Sequence, residues 1–150
     1  MDKHEIRVIA ITGLLLASFL FSVLWAMDKR HIDVPACIPY DSKYATSKIT
    51  QLDSNTYQVF VVAKMWQFDP AEIDVPVGST VDFYLTSKDV THGFNIAEKS
   101  SNMMAVFGGI TETTVHFDKA GTYNIVCHEY CGAGHQNMTG KVVVSPKKQK

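Results

Sequence analysis

The sequence is short of cysteine, of basic tracts and of repeats, and each shortage excludes something. Three cysteines in 150 residues cannot build a disulfide framework, and an odd count leaves one unpaired if two bond each other. Lys and Arg number 14 against 15 Asp and Glu, for a net charge of −1, so no basic face dominates and no nucleic-acid partner is expected. The single basic cluster, Lys147-Lys148-Gln149-Lys150, reads as a solvated tail. No internal repeat is visible, so the chain is not a repeat array. Beyond the first fifth there is no convincing amphipathic helix, so helix is expected only near the N-terminus.

What is present begins with Val8 to Met27, a run without a charged residue. A helix of about 20 residues spans roughly the 30 Å of a bilayer's hydrocarbon core. Arg7 sits at one edge, Asp28, Lys29 and Arg30 at the other, and Trp25 lies where interfacial aromatics usually lie. The run exceeds the core of a secretory signal, and Leu24-Trp25-Ala26 is a poor cleavage site, so an uncleaved anchor in the lipid bilayer is expected. Lys3 and Arg7 precede the run while Lys29 and Arg30 follow it, so charge does not fix its orientation. The expected division is 1–28 for the N-terminal stub and anchor, 29–55 for a linker rich in Pro, Ser and Thr, and 56–150 for a folded domain. Cys37 falls in the linker and reads as a free or packed thiol.

From Thr56 onward short runs of β-branched and aromatic residues alternate with turn residues. Tyr57–Ala63, Glu72–Val75, Thr80–Thr86, Thr113–Phe117, Tyr123–Val126 and Gly140–Val144 all read as strands. In the third, Val81, Phe83 and Leu85 share one face. About seven strands in about 95 residues imply an all-β sandwich or Greek-key barrel.

The stretch Cys127-His128-Glu129-Tyr130-Cys131-Gly132-Ala133-Gly134-His135-Gln136-Asn137-Met138 carries the chemistry. Its skeleton is C-x3-C-x3-H-x2-M, in a loop between two strands. Thiolate and thioether are soft ligands that favour copper. Gly132 and Gly134 let the backbone fold tightly around an ion. One cysteine with two histidines and an axial Met makes a mononuclear blue-copper site. Here a second cysteine is present, and two thiolates can bridge two copper ions, each then needing one imidazole. His135 supplies one; His92, in a loop after the Thr80–Thr86 strand, is the candidate for the other. His4 and His31 flank the anchor, His116 lies within a strand, and His128 is the spare candidate. A structural zinc site from Cys127, Cys131, His135 and His92 competes, but it leaves Met138 without a role. A disulfide between residues four apart closes too small a loop to stabilise much.

These residues resemble the binuclear copper (CuA) loop of subunit II of haem–copper cytochrome c oxidases. Val90-Thr91-His92-Gly93-Phe94 resembles that family's first histidine loop, and Val75-Pro76-Val77-Gly78 the segment before it. The resemblance implies a cupredoxin-like Greek-key β-barrel behind one N-terminal transmembrane helix. It implies that Cys127 and Cys131 bridge two coppers, that His92 and Met138 complete one, and that His135 and the Glu129 carbonyl complete the other. In many family members, though not in every branch, the side chain at the Glu129 position also reaches a magnesium ion at the junction with the catalytic subunit. The commonest form of the family has two transmembrane helices; a single anchor resembles the B-branch of prokaryotic oxidases with ba-type haems. Trp66 and Phe68 match an aromatic patch that in the family lies above the copper site, and Trp66 is expected to receive the electrons.

The resemblance implies electron transfer from cytochrome c, through the copper pair, to haem in the catalytic subunit I, where oxygen is reduced and protons are pumped. It implies a prokaryotic cell membrane, with the copper domain on the periplasmic side. No haem site or proton channel is visible in this chain, so it is expected to be a subunit and not the oxygen-reducing part. A membrane-anchored copper chaperone is the alternative. Such proteins resemble thioredoxin, with helices interleaved among strands, a pattern absent from this sequence. A nitrous oxide reductase would carry a large propeller, and a blue-copper carrier needs only one cysteine.

Overall fold

The computed structural model describes residues 2–30 and 36–146, so His31 and the Lys147–Lys150 tail lie outside the described residues. Helix α1 spans Lys3–Arg30. By length and composition it can cross a bilayer. At 1.5 Å per residue it is roughly 40 Å long, more than the hydrocarbon thickness. Its hydroxyls are satisfied within the helix: Ser18 Oγ donates to the Leu15 carbonyl at 2.8 Å and Ser22 Oγ to the Phe19 carbonyl at 2.7 Å. That internal pairing is what lipid requires of a polar group.

The rest of the described chain is β. In order the strands are β1 (Ala36–Pro39), β2 (Lys48–Gln51), β3 (Thr56–Lys64), β4 (Gln67–Asp69), β5 (Glu72–Pro76), β6 (Ser79–Ser87), β7 (His92–Ile96), β8 (Ser101–Ala105), β9 (Gly109–Phe117), β10 (Gly121–Val126) and β11 (Thr139–Ser145). One sheet runs β1-β9-β6-β3-β2, with β4 hydrogen-bonded to β3; the other runs β5-β11-β10-β7-β8. Two pairs, β3 with β6 and β5 with β11, are parallel, so the chain crosses over between them. Among the described residues no α-helix occurs outside α1, which removes the interleaved helices a thioredoxin-like chaperone would need.

Alternation decides what faces inward. Val59 and Val61 on β3, Val81, Phe83 and Leu85 on β6, and Val115 and Phe117 on β9 are buried from one sheet. Ile73 and Val75 on β5, Phe94 and Ile96 on β7, Ile125 on β10, and Val142 and Val144 on β11 meet them from the other. Each such side chain contributes about 1.5–3 kcal/mol by leaving water. This is the two-sheet β-sandwich expected from the alternation, and the cupredoxin-like form of it that the resemblance implies.

The strand count differs from expectation. About seven strands were expected; the six runs named above are β3, β5, β6, β9, β10 and β11, and five further strands, β1, β2, β4, β7 and β8, join them among the described residues. All five are short, and several carry Asn, Gln, Gly or Pro, so their identity comes from ladder pairing and not from their own pattern. The stretch 29–55, expected to be a linker, is corrected most: it contributes β1 against β9 and β2 against β3. Between them Tyr44 is buried, with its ring 4.8 Å from that of Phe60 and 5.2 Å from that of Tyr84. Tyr84 in turn donates its hydroxyl to Glu112 Oε1 at 2.9 Å. One aromatic anchor is enough to lay a polar segment onto the sheet. His92 is also corrected: it opens β7, paired with Ala105, and is not a loop residue.

Candidate metal centre

The loop that follows β10 and precedes β11 carries the cysteines. It is closed at its base by the Cys127 N–H, which donates to the Met138 carbonyl at 3.2 Å. Inside it, backbone N–H groups of His135, Asn137 and Met138 donate to the carbonyls of Gly132, Gly134 and His135, winding a 3-10 turn over His135–Asn137. Gly132 has a φ of 116°, where an L side chain is strained, so glycine is required there. These bonds hold the loop's backbone in one conformation.

Strand β7 brings His92 to this loop. Val126 pairs with Asn95 in antiparallel register. Continuing that register sets Gly93 opposite His128, and a Cβ on Gly93 would lie only 2.6 Å from the His128 backbone nitrogen. Glycine therefore lets β7 and the loop close on each other. Phe94, with its ring 5.4 Å from Phe68 and 5.5 Å from Phe83, pins β7 from the core side.

The donor atoms converge. A ring nitrogen of His92 and the sulfurs of Cys127 and Cys131 lie within 4.8 Å of one another, all buried. The two sulfurs are 3.7 Å apart and unbonded, since a disulfide needs about 2.05 Å. Cys131 Sγ lies 3.6 Å from His135 Nδ1 and 3.8 Å from Met138 Sδ. Cys127 Sγ lies 3.2 Å from the Glu129 carbonyl oxygen. The six residues singled out from sequence, His92, Cys127, Glu129, Cys131, His135 and Met138, are thus drawn into one place. The Glu129 side chain itself is exposed.

The electrostatics favour a cation. His92 is fully buried; its Nε2 lies 2.7 Å from Asp89 Oδ1, while Nδ1 has no hydrogen-bond partner. A buried, unpaired acceptor beside two sulfurs costs free energy unless something binds it. Burial, then the neighbouring Cys127, pushes the Cys131 thiol up to about 11. Two thiols, two imidazoles and a thioether form a soft donor set that fits copper. Burial by itself would raise the Asp89 carboxyl, but the bonds from His92 and from the backbone N–H groups of Met65 and Val90 hold it below the usual carboxylate range.

A family model described as the periplasmic domain of cytochrome C oxidase subunit II matches residues 36–145. The chain belongs to the cytochrome c oxidase subunit II family. Cytochrome c oxidase subunit 2 of Thermus thermophilus is 33% identical over 138 residues, 91% of this chain and 82% of that one. A subunit in a cryo-EM structure of a heme-copper terminal oxidase dimer is 35% identical, with a TM-score of 0.78 over 95% of this chain and all of that one. The periplasmic domain of subunit II from Bradyrhizobium japonicum, 22% identical with a TM-score of 0.56 over 63% of this chain and 86% of that one, shares the fold. This chain is therefore a subunit of a haem–copper oxidase, an oxidoreductase complex, with a cupredoxin-like domain and one N-terminal apolar helix.

Other residues singled out in this subunit II chain fall around the cluster or away from it. Trp66 is 41% exposed, and its Nε1–H donates to the Cys131 carbonyl at 3.1 Å; Phe68 is core. His128 is exposed, and together with exposed Cys37, Met104 and Glu129 and buried Thr111 it lines a cleft of about 600 Å³. His116 Nδ1 is 3.2 Å from Thr80 Oγ1 across the sheet, away from the cysteines. Asp89 was missed. The signal was present as a carboxylate three residues before a candidate ligand histidine, since such histidines usually hold an outer carboxylate.

Proposed function

We propose that this chain is the electron-receiving subunit of its oxidase, holding a binuclear copper centre on Cys127, Cys131, His92, His135, Met138 and the Glu129 carbonyl. Such a copper pair, when bound, would supply one-electron redox chemistry. The chain's own residues do the rest. The hydrogen-bonded loop and β7 hold the donors in place, so little moves between redox states. Burial of both cysteines and Met138 keeps water from the sulfurs. Trp66, exposed on one side and bonded to Cys131 on the other, receives electrons from a cytochrome c docked outside the membrane. They leave toward haem in the catalytic subunit I, where oxygen is reduced and protons are pumped.

The anchor α1 crosses a prokaryotic cell membrane once and leaves the copper domain on the periplasmic side. The single apolar helix among the described residues supports the B-branch, ba-type form. The exposed Glu129 carboxylate would be the group to hold a magnesium ion at the junction with subunit I. The observation that carries the proposal is the unpartnered, buried Nδ1 of His92 beside two unbonded sulfurs. The test is metal analysis with EPR on the copper-loaded chain in detergent. Two coppers per chain and a seven-line pattern are expected; a four-line pattern, or fewer than two coppers after full reconstitution, refutes it.

A further inference from the structure

Asp89 does more than close a turn. Its Oδ1 accepts the Nε2–H of His92 at 2.7 Å and the Val90 N–H at 2.7 Å. Its Oδ2 accepts the Met65 N–H at 2.7 Å, across 24 residues of sequence. Met65 immediately precedes Trp66, on the turn between β3 and β4. The carboxylate thus joins two elements that the backbone ladders do not join: the start of β7, which carries a donor of the metal centre, and the turn that carries the indole on Cys131.

We propose that Asp89 is a positioning residue serving both at once. One oxygen fixes His92 as the Nε2–H tautomer, leaving the Nδ1 lone pair free toward the sulfurs. The other holds the Met65–Trp66 turn against the loop. An ionised carboxylate is the group suited to this, because it is all acceptor and has two oxygens to share among donors that converge from different strands. Its charge also strengthens both bonds. Asn in its place offers one carbonyl oxygen, enough for His92 or for Met65 but not for both. This inference rests on the copper reading for its purpose, but its geometry does not, so the two can fail separately.

The test uses the full chain in detergent, labelled with 15N and free of metal. In the parent chain the His92 ring shifts should be those of the Nε2–H tautomer, and the Met65 amide should exchange slowly. Asp89→Ala should return His92 to mixed tautomers and speed Met65 amide exchange about tenfold, with Phe94 and Val59 amides still protected. Asp89→Asn should keep one of the two signatures and lose the other, and it is read in place of the alanine variant if that one unfolds. After copper loading, Asp89→Asn should keep the seven-line EPR pattern and show a raised reduction potential, since a negative charge beside a ligand is gone. Parent-like tautomer and Met65 exchange in Asp89→Ala overturn the proposal. A parent chain that never shows seven lines overturns the copper reading instead, and the metal-free signatures still decide Asp89.

Discussion

The Trp66 indole donates its N–H to the carbonyl of Cys131 at 3.1 Å, although 65 residues separate them. The contact depends on glycine. A Cβ on Gly134 would lie 2.6 Å from both Cγ and Cε3 of Trp66, and one on Gly132 would lie 3.2 Å from Nε1. The ring therefore fits against bare backbone, directly over the loop that carries the sulfurs.

Gly134→Ala is expected to push the indole off this loop. Overpacking of this kind costs about 1–3 kcal/mol. With Trp25 replaced by Phe to leave one indole, Trp66 emission should shift to the red and thermal unfolding should begin earlier. Unchanged emission would show that the ring does not rest on the loop in solution.

Trp66→Phe keeps an apolar ring but loses the N–H donor. Copper content and the EPR pattern should stay as in the parent, while electron uptake from reduced cytochrome c slows by an order of magnitude or more, on the scale of losing a central aromatic contact. Stopped-flow reduction of the loaded chain measures this. A parent-like rate would remove Trp66 from the route.

Cys131→Ser replaces a soft bridging sulfur by a hard hydroxyl. The purple colour and the seven-line pattern should both vanish. The neighbours His135 and Met138, at 3.6 and 3.8 Å from this sulfur, would lose their common partner. A retained purple centre sinks the bridging role.

The metal-free chain should lose stability in alkali. The Cys131 thiol is raised from 9.0 to about 11 by burial and by Cys127. The folded state therefore keeps a proton that the unfolded chain gives up first. The contribution is complete below pH 9 and fades as pH rises toward 11, by about 2–3 kcal/mol in all. Tyr84, raised to about 12 by burial and Glu112, adds a later loss. Denaturant titrations at several pH values should show the earlier loss in the parent and not in Cys131→Ser. Copper uptake should release protons and tighten as pH rises, because thiolates are the ligands.

Phe94→Ala tests the link from core to site. Phe94 is fully buried between Phe68 and Phe83, two residues after His92. The cavity should cost about 3–5 kcal/mol. It should also loosen β7, so copper is expected to bind more weakly even though no donor has changed. Calorimetric titration of copper into the folded variant at low temperature checks this.

The anchor and the loop were legible in the sequence because both are local. An apolar run declares its solvent, and four donors within a short stretch declare their chemistry through residue type and spacing alone. The inward face of β6 was legible for the same reason, since alternation is written in consecutive residues. Strands β1, β2, β7 and β8 were not, because a short polar strand has no signature until a neighbour supplies its ladder. His92 was chosen by residue type and by resemblance, yet its place at the head of β7 and its free Nδ1 follow from pairing and from Asp89. Trp66 on Cys131 and the Asp89 bridge to Met65 are contacts across 65 and 24 residues of chain. The sequence by itself determined which atoms could hold a metal and which segment belongs in lipid. Only the tertiary structure decided which atoms meet, because pairing between distant strands is set by the packing of a shared core and not by any pattern within one of them.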